Sequence, residues 1–309
     1  MSETAKPERV NLSIAIPTLD RGEVLLRTID LLSGLSPRPL EILILDQTPE
    51  HPPSVLERLE GLDAEGTIRW IRLEHPSIPG AMNRALLEAR GALVLFLDDD
   101  IVPGEDLIRA HLEAHAGGRD LAVAGQILQP REVPEPLSPG EPFRFNSTTP
   151  RRIETLMGGN LSVPRERALE VGGFDEAFVQ AAYRFEADFA RRWLAAGGRI
   201  TFPPRASLRH LRAARGGTRA YGDHLTTHRP GHAVGEYYYL LRAFGWRALR
   251  RILGRLVRSV ATRFHLRRPW RTPITLWAEV SGLAWALALA MKPPRLLSRF
   301  PQRREPDIP

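Results

Sequence analysis

Short apolar runs alternate with amphipathic stretches along roughly the first 130 residues of the chain. The apolar runs are nearly continuous, as expected for strands buried on both faces, and the stretches between them have helical spacing. This alternation predicts an α/β domain with a mostly parallel central sheet covered by helices on both faces. Strands are predicted over residues 11–20, 40–48, 67–74, 92–100 and 121–127, and helices over residues 23–32, 54–62, 79–91 and 104–115.

The remaining residues are less regular and indicate a second region. Residues 129–150 are rich in proline and predict a long irregular loop, which is either mobile or functional. A helix is predicted over residues 185–198, and a short strand follows it. The composition then changes near residue 225. We therefore predict an α/β domain over residues 1–225 and a helical, basic and apolar region over residues 226–309.

The overall composition excludes several classes of protein. With 309 residues, of which 43% are hydrophobic and 26% charged, the chain has the composition of a globular protein. It contains no cysteine, which excludes disulfides and thiolate metal sites. The N-terminal residues include acids and a proline but no apolar segment, so we expect a cytoplasmic protein without a signal peptide.

Three consecutive carboxylates, Asp98, Asp99 and Asp100, directly follow the apolar run that predicts the fourth strand. Asp46 follows the second predicted strand in the same way. Because ligands bind outside the carboxyl ends of parallel strands, these acids should lie at one rim of the sheet. Mg²⁺ or Mn²⁺ together with substrate phosphates would neutralise them. The alternative is a charged strand end that faces solvent.

Two phosphate chemistries fit such a rim. One is that of the haloacid-dehalogenase-type phosphatases, in which the first aspartate of an Asp-x-Asp motif is the nucleophile. That chemistry requires a downstream lysine, and the only downstream lysine is Lys292, in the C-terminal region. The phosphatase alternative is therefore weaker than transfer of a sugar from a nucleotide.

A set of motifs supports the second chemistry. These are IPTLDR (16–21), LEILILDQT (40–48), NRALLEARGALVLFLDDD (83–100), GGNLSVPRERALEVGGFDEAF (158–178) and the segment 186–210. In order and spacing they resemble family 2 glycosyltransferases with the GT-A fold, over roughly residues 11–215. The resemblance implies an inverting, metal-dependent enzyme that uses a nucleoside-diphosphate sugar. A nucleotide-sugar-binding protein without catalytic activity is a further alternative.

The resemblance also assigns roles to individual positions. It places Asp46 and Gln47 near the nucleotide base and Asp98 near the ribose. It makes Asp100 a ligand of Mn²⁺ or Mg²⁺, and it places His210 where many members have a histidine that contacts the metal or the diphosphate. The complete set of nucleotide-site residues that it implies is Pro17, Thr18, Asp46, Gln47, Asp98, Asp99, Gly159 and Asn160.

Glu186 is the candidate general base. Family members commonly carry an aspartate that acts as the base. A second aspartate follows it two residues later, and an arginine follows the second aspartate after four more residues. Asp188 and Arg192 have that spacing here, and Glu186 occupies the position of the base. An inverting transfer needs such a group to accept the proton of the attacking hydroxyl. The alternative is an acid that only stabilises the N-terminus of a helix.

The chain has a net charge of +7, and the excess of basic residues is concentrated in the C-terminal region. No aspartate or glutamate occurs between Tyr237 and Ala278, whereas arginine recurs throughout. Residues 246–264 place apolar and aromatic side chains on one helical face and arginines on another, which is typical of an interfacial membrane helix. Residues 273–291 are apolar but barely long enough to span a bilayer, and they include Glu279.

We therefore expect the protein to lie on an anionic membrane surface, at the inner face of the cell membrane. From that location we expect the acceptor to be a saccharide or a lipid-linked molecule. The reaction would then belong to the synthesis of cell-envelope polysaccharide or glycolipid. The alternative is that the apolar helices pack on the catalytic domain or pair between protomers. No nucleic-acid recognition motif accompanies the arginines, so we expect no nucleic acid as partner.

Overall fold

Two sheets organise the chain. The structure, a computed structural model, describes residues 9–221 and 227–297. Its strands are β1 (Arg9–Thr18), β2 (Arg38–Asp46), β3 (Arg69–Arg72), β4 (Leu93–Leu97), β5 (Ile101–Pro103), β6 (Leu121–Ala124), β7 (Gln126–Leu128), β8 (Arg151–Ile153), β9 (Asn160–Pro164), β10 (Arg199–Phe202) and β11 (Ser207–His210). Eight of the strands described form one sheet in the order β3-β2-β1-β4-β9-β6-β10-β8, and three form a second in the order β5-β11-β7.

Helices cover both faces of the large sheet. They are α1 (Glu23–Ser33), α2 (Pro53–Ala64), α3 (Ile78–Glu88), α4 (Leu107–His115), α5 (Arg165–Glu170), α6 (Phe185–Ala195), α7 (Ala233–Phe244), α8 (Leu249–Val260), α9 (Arg263–Arg267) and α10 (Thr272–Ala290). Helices α1, α2 and α4 enclose one hydrophobic core, and α3, α5, α6 and α7 enclose the other.

The side chains of β1 show why the strands are continuous apolar runs. Leu12, Ile14 and Ile16 enter the core beside α1, whereas Ala15 enters the core beside α3. All four are fully buried. Successive side chains of a strand point to opposite faces, and here both faces are covered. The predicted class, an α/β fold with buried strands, is confirmed.

The direction of chain progression across the sheet reverses at β1. Strands β2 and β3 lie on one side of β1 and β4 lies on the other, all parallel to it. Parallel sheets bind ligands at the carboxyl ends of the strands beside such a reversal. Strand β9 runs antiparallel between β4 and β6, and β8 pairs antiparallel at the edge. The sheet is therefore mostly, but not wholly, parallel.

The small sheet places His210 beside the acidic triplet. The single strand predicted over residues 121–127 is divided at Gly125, so that β6 belongs to the large sheet and β7 to the small one. Strand β5 begins directly after Asp100 and pairs antiparallel with β11, so that His210 lies opposite Ile101. A histidine 110 positions away in sequence therefore reaches Asp100 through one strand pairing.

The C-terminal helices pack on the α/β domain. Helix α7 contributes Val234, Tyr237 and Tyr238 to the core that also contains α3 and α6, and α10 packs along α7. Gly282 permits this close approach, since a Cβ there would lie 2.6 Å from the Cβ of Ala233. The boundary predicted near residue 225 falls within residues 222–226, which lie outside the described residues. The division into two domains stays a prediction.

Helix α10 and the turn before it, Pro269–Ala290, are long and apolar enough to cross a membrane, judged by length and composition alone. One side of α10 is buried, including Glu279, and the other exposes Trp277. After α10 the chain returns to the α/β domain, where the Arg295 N–H donates to Asp175 Oδ1 at 2.8 Å and the Leu297 N–H to the Gly172 carbonyl at 2.9 Å. The helix is thus held against the domain along its side and beyond its end.

Gly125, between the two sheets, should not tolerate a side chain. A Cβ at this position would lie 2.2 Å from the Ala206 carbonyl oxygen and 2.3 Å from Asn160 Nδ2. Because overpacking forces the backbone to shift, Gly125→Ala should lower the free energy of unfolding by about 2 to 3 kcal/mol. In the control Gly61→Ala, within α2, a Cβ would meet nothing within 4 Å, and removal of a helical glycine should add about 0.5 to 1 kcal/mol. Urea unfolding measures both, and equal midpoints for the two variants would contradict the prediction.

Candidate active site

A cleft of about 300 Å³ opens at the carboxyl ends of β1, β2 and β4. This is the reversal point at which a ligand is expected in such a sheet. The start of α6 and the short 3₁₀ turn Gly217–Tyr221 border its other side. The predicted site residues that line it are Pro17, Thr18, Gln47, Asp98, Asp99, Asp100, Gly159, Glu186 and His210.

Asp99 points inward and is held by groups of the β1–α1 segment. Its carboxylate accepts a hydrogen bond from Thr18 Oγ1 at 2.8 Å and lies 3.0 Å from Arg21 Nε. Burial raises the pKa of Asp99 to about 7, although Arg21 and the Thr18 hydrogen bond oppose that shift. Asp99 therefore fixes the base of the cleft rather than presenting a free carboxylate to it.

Asp100 is fully buried but strongly neutralised. Its Oδ2 accepts from the Ala213 N–H at 2.7 Å, and its Oδ1 lies 2.9 Å from His210 Nε2. Burial acts to raise the pKa of Asp100, but His210, the Ala213 N–H and Arg21 together lower it below its usual value. For His210, burial acts to lower the pKa, and the contact with Asp100 and the charge of Asp98 raise it. The contact between Asp100 and His210 therefore favours the charged form of each group.

Asp98 is the member of the triplet that faces the cleft, with 46% of its side-chain surface exposed. Its Oδ2 lies 3.7 Å from His210 Nε2. Desolvation within the recess raises its pKa, with a contribution from the charge of Asp100 and opposition from His210. A Cβ at Gly159 would lie 2.1 Å from Asp98 Oδ2, so this position must be glycine for the carboxylate to keep its place.

Asp98, Asp100 and His210 fit a divalent cation. One potential ligand atom from each lies within 4.8 Å of the others. Asp100 Oδ1 makes no well-aligned hydrogen bond, which leaves its lone pair available. His210 Nδ1 contacts Gln129 Oε1 at 3.2 Å, and a donor role for Nδ1 there leaves Nε2 as the ligand nitrogen. Two carboxylates and one imidazole suit Mn²⁺ or Mg²⁺.

Glu186 enters the same cleft from the first turn of α6. The preceding Arg184 has a left-handed conformation, φ 73°, which turns the chain so that Phe185 enters the core and Glu186 the cleft. Its Oε1 accepts from the Gly158 N–H at 2.8 Å. Burial raises the pKa of Glu186 to about 7, with a further contribution from Asp98 against the Gly158 hydrogen bond. A carboxyl group with this pKa can exchange a proton near neutral pH.

Asp188 and Arg192, whose spacing identified Glu186, form a structural clamp. Arg192 Nε lies 2.7 Å from Asp188 Oδ2 on the same helix. The other two guanidinium nitrogens of Arg192 donate to the carbonyls of Val171 and Gly173, at 3.0 and 2.8 Å. The clamp fixes the start of α6 to the glycine pair that follows α5, and so holds Glu186 in place.

Two predicted nucleotide-site residues do not line the cleft. The Asp46 carboxylate accepts from the Thr48 N–H and Trp70 Nε1 and lies 2.6 Å from His51 Nε2. These contacts occupy both of its oxygens inside the protein. Asp46 thus orders the end of β2, while its neighbour Gln47 reaches the cleft.

The Asn160 side chain is likewise buried and fully paired. Its Nδ2 donates to the carbonyls of Gln126 and Ala206, and its Oδ1 lies 2.9 Å from His111 Nε2. Through these bonds Asn160 joins β9 of the large sheet to the first residue of β7 and to the residue directly before β11. Its side chain therefore positions His210 indirectly and is not presented to a ligand.

Arg21 and Gln129 are the main residues that sequence reasoning missed. Arg21 contacts two carboxylates of the triplet and donates from Nη1 to the carbonyls of Ala213 and Arg215, at 3.3 and 2.7 Å. It lies within the IPTLDR motif, so a signal was present, but its partner residues are distant in sequence. Gln129, at the start of the proline-rich segment, gave no motif signal.

The comparisons with known proteins agree with this geometry. The family profile described as Glycosyl transferase family 2 matches residues 13–188. The uncharacterized glycosyltransferase YfnE of Bacillus subtilis (strain 168) is 31% identical over 86 residues, an alignment that covers 28% of this chain and only 21% of YfnE. The chain therefore spans about a fifth of the length of that relative.

Solved structures with low sequence identity share the fold. GalNAc-T7 with UDP, GalNAc and Mn²⁺ has a TM-score of 0.56 at 17% identity, over 66% of this chain and 43% of that chain. The mannosyltransferase PcManGT of Pyrobaculum calidifontis, in complex with GDP-Man and Mn²⁺, has a TM-score of 0.54 at 19% identity, over 92% and 79%. S. aureus TarS has a TM-score of 0.52 at 13% identity, over 82% and 44%. The GT-A fold is thereby confirmed.

The cleft also bears on the phosphatase alternative. Its lining residues, all within the described part of the chain, include no lysine, so the residue that this alternative requires is not at the site. The family profile, in contrast, spans the acidic triplet, the pair Gly158 and Gly159, and Glu186. It covers more than half of the 309 residues. The chain belongs to family 2 of the glycosyltransferases.

Proposed function

We propose that the protein transfers a sugar from a nucleoside-diphosphate sugar to a hydroxyl group, with inversion at the anomeric carbon. The observation that carries the proposal is that one cleft contains both a cation-binding trio, Asp98, Asp100 and His210, and a separate acid, Glu186, with a pKa of about 7. In the reaction the acceptor oxygen bonds to the anomeric carbon as the bond from that carbon to the diphosphate breaks. The acceptor proton passes to Glu186, and the nucleoside diphosphate leaves.

Asp98, Asp100 and His210 would hold Mn²⁺ or Mg²⁺ in this cleft. When bound, the cation offsets the negative charge that grows on the departing diphosphate. The protein prepares the position by keeping Asp100 ionised and by orienting His210 through Gln129. Arg21, which already neutralises Asp99, keeps the rim from accumulating three unpaired negative charges.

The floor of the cleft supports a bound nucleotide. Pro17 and Thr18 end β1, and Gln47 directly follows β2, so all three face the crevice at the reversal point. Gln47 is held by a hydrogen bond from the Ser77 N–H to its Oε1 at 2.5 Å, and its Nε2 donates to the Thr18 carbonyl at 3.4 Å. We assign these residues to the nucleoside end of the donor and the acidic rim to its diphosphate end.

Glu186 is suited to the role of general base. Burial disfavours its charged form, so the carboxylate that does form is a stronger proton acceptor than a solvated one. The Gly158 N–H fixes one oxygen, Oε1, and the other is left to meet the acceptor hydroxyl. The residues around it, Tyr183 and Phe185, are aromatic and can shield the reacting centre from water.

We further propose that the enzyme works at the cytoplasmic face of the cell membrane, on a saccharide or lipid-linked acceptor in cell-envelope synthesis. The C-terminal helices expose large apolar side chains that a water-soluble protein would bury. Exposed fractions reach 85% at Trp246, 63% at Val257 and 66% at Trp277. Arginines flank this surface, which favours anionic lipid.

The packing of α10 supports a surface position over a membrane span. Glu279, in the middle of the helix, is buried against the protein and paired with Arg255 through two contacts of 3.0 Å. The same side of the helix packs on α7, and the residues after it bind the α/β domain. A helix fastened in this way can place only its outer face in lipid.

Donor and metal binding can be measured without knowing the acceptor. In a thermal-shift screen, a matching nucleoside-diphosphate sugar with Mn²⁺ should stabilise the protein by about 2.7 kcal/mol at a concentration 100-fold above its Kd. Asp100→Asn and His210→Ala should remove the Mn²⁺-dependent part, whereas Glu105→Gln, an exposed acid nearby, should not. Equal Mn²⁺ responses in all four proteins would contradict the assigned metal site.

Loss of the general base should separate catalysis from binding. Glu186→Gln should lower kcat by about 10²- to 10⁴-fold and leave donor binding intact, because a general base contributes to the rate by that factor. In the wild type, activity should rise with pH through an apparent pKa near 7, since only the ionised carboxylate accepts a proton. Unchanged turnover in the variant would remove this role.

The free energy of unfolding of the wild type should fall as pH rises, whereas its activity should increase. The folded-state pKa of Glu186, about 7, lies above the value of 4.5 that is usual for a glutamate, so the native state is destabilised as pH rises between these two values. At pH 8 Glu186→Gln should therefore increase the free energy of unfolding by about 1 to 2 kcal/mol, with no gain at pH 4. Glu166→Gln, an exposed acid in the first turn of α5, is the control and should show no such gain. Chemical unfolding at both pH values measures the difference.

Membrane binding is tested by flotation with vesicles of phosphatidylcholine and phosphatidylglycerol. The wild type should float with vesicles that contain the anionic lipid, and Val257→Glu combined with Trp277→Glu should remain in solution. Leu87→Glu, a leucine on α3 with 43% exposure, is the matched control and should still float. Flotation of the double variant at the wild-type level would argue against this surface.

A further inference from the structure

A second pocket, of about 450 Å³, lies beside the active-site cleft. It is lined by residues 183–184, directly before α6, and by residues of helices α7, α8 and α10. Tyr183 lines both the cleft and this pocket and is three residues from Glu186. The second pocket is therefore adjacent to the catalytic base, on the far side of a single aromatic side chain.

The pocket carries an excess of positive charge. Arg184, Arg251, Arg255 and Arg258 line it, against the two acids Glu236 and Glu279. Both acids are already paired: Glu236 lies 2.7 Å from Arg184, and Arg255 contacts Glu279 through two nitrogens. Tyr237 also donates to Glu279, at 2.5 Å. Within residues 9–221 and 227–297, Arg251 and Arg258 have no carboxylate within 4 Å, so they are available to a ligand.

Hydroxyl groups complete the lining. Ser259, Thr262 and Thr275 face the pocket, and the two threonines contact opposite nitrogens of the buried His265 at 2.8 and 2.9 Å. Guanidinium groups and hydroxyls together are the groups that bind phosphate in proteins. The acidic cleft, in contrast, repels a phosphate unless a cation is present.

We propose that this second pocket binds a phosphate group carried by the acceptor. The assignment of that phosphate to the acceptor rests on the proposed function, because the acceptor hydroxyl must reach Glu186 and the pocket adjoins Glu186. The donor diphosphate belongs at the acidic rim, on the other side of the cleft. A phosphate held by Arg251 and Arg258 would anchor the acceptor while its hydroxyl extends past Tyr183.

Inorganic phosphate is the direct probe. In EDTA, where the acidic cleft cannot recruit phosphate through a metal, phosphate should still stabilise the full chain in thermal shift and give a saturable calorimetric titration. Arg251→Gln combined with Arg258→Gln should weaken the apparent Kd about 10-fold or more, because two charged contacts are lost. The control, Arg250→Gln combined with Arg263→Gln, removes the same charge from exposed positions outside the pocket and should bind as the wild type does.

Arg251 also stacks on Phe244, with 3.8 Å between its guanidinium carbon and the ring centre. The second variant is therefore Arg258→Gln alone, which leaves the stacking of Arg251 on Phe244 intact. It should still weaken phosphate binding. Unaltered phosphate affinity in both pocket variants, or no saturable binding by the wild type at tens of millimolar phosphate, would overturn the proposal.

Vesicles separate two sources of the phosphate. Phosphatidylcholine vesicles with phosphatidic acid, a lipid with a terminal phosphate, should compete with inorganic phosphate if the acceptor is lipid-linked. Pure phosphatidylcholine vesicles are the blank. Competition that requires Arg258 supports a lipid-linked phosphate, and its absence alongside intact phosphate binding supports a soluble phosphorylated acceptor. Since none of these measurements needs turnover, failure of glycosyl transfer with intact phosphate binding would contradict the proposed function alone.

Discussion

The cost of placing three adjacent carboxylates at the end of a buried strand is the constraint on which the rest of the site depends. The protein meets that cost by giving each acid a different environment. Asp99 is buried with Thr18 and Arg21, Asp100 with His210 and a backbone N–H, and only Asp98 faces the cleft. A cation bound at Asp98, Asp100 and His210 would replace a proton as the neutralising charge.

The groups that neutralise the triplet come from separate parts of the chain. Arg21 lies between β1 and α1, His210 ends the last strand, and Gln129 begins the proline-rich segment. Arg21 also binds the carbonyls of the loop after β11, so the loop and the carboxylates are ordered by one side chain. The site is consequently complete only when both sheets have formed and Asn160 has joined them.

Local patterns predicted much of the fold and the identity of the acidic rim. The strands and helices of the α/β domain follow from apolar runs and helical spacing, since both signals are local. The antiparallel insertion of β9 and the division at Gly125 could not be predicted, because short strands take their partners from distant segments. Asp46 was predicted to contact the nucleotide, but its carboxylate contacts His51 and Trp70 inside the protein. These two partners could not be predicted from local sequence patterns, because the contacts depend on the three-dimensional fold. The spacing of Asp188 and Arg192 singled out Glu186 as a candidate site residue, and Glu186 does line the cleft. The two residues that gave the signal also hold the start of α6 in place.

The return of the chain from α10 to Asp175 and Gly172 has a geometric consequence. An apolar helix on a flexible tether would allow a catalytic domain to sample many heights above a membrane. Here the exposed face of α10 and the opening of the cleft belong to one packed body, so their separation is constant. In the proposed position on a bilayer, that separation would select among acceptors: hydroxyl groups at one distance from the lipid surface would meet Glu186, and otherwise similar hydroxyls nearer or farther would not.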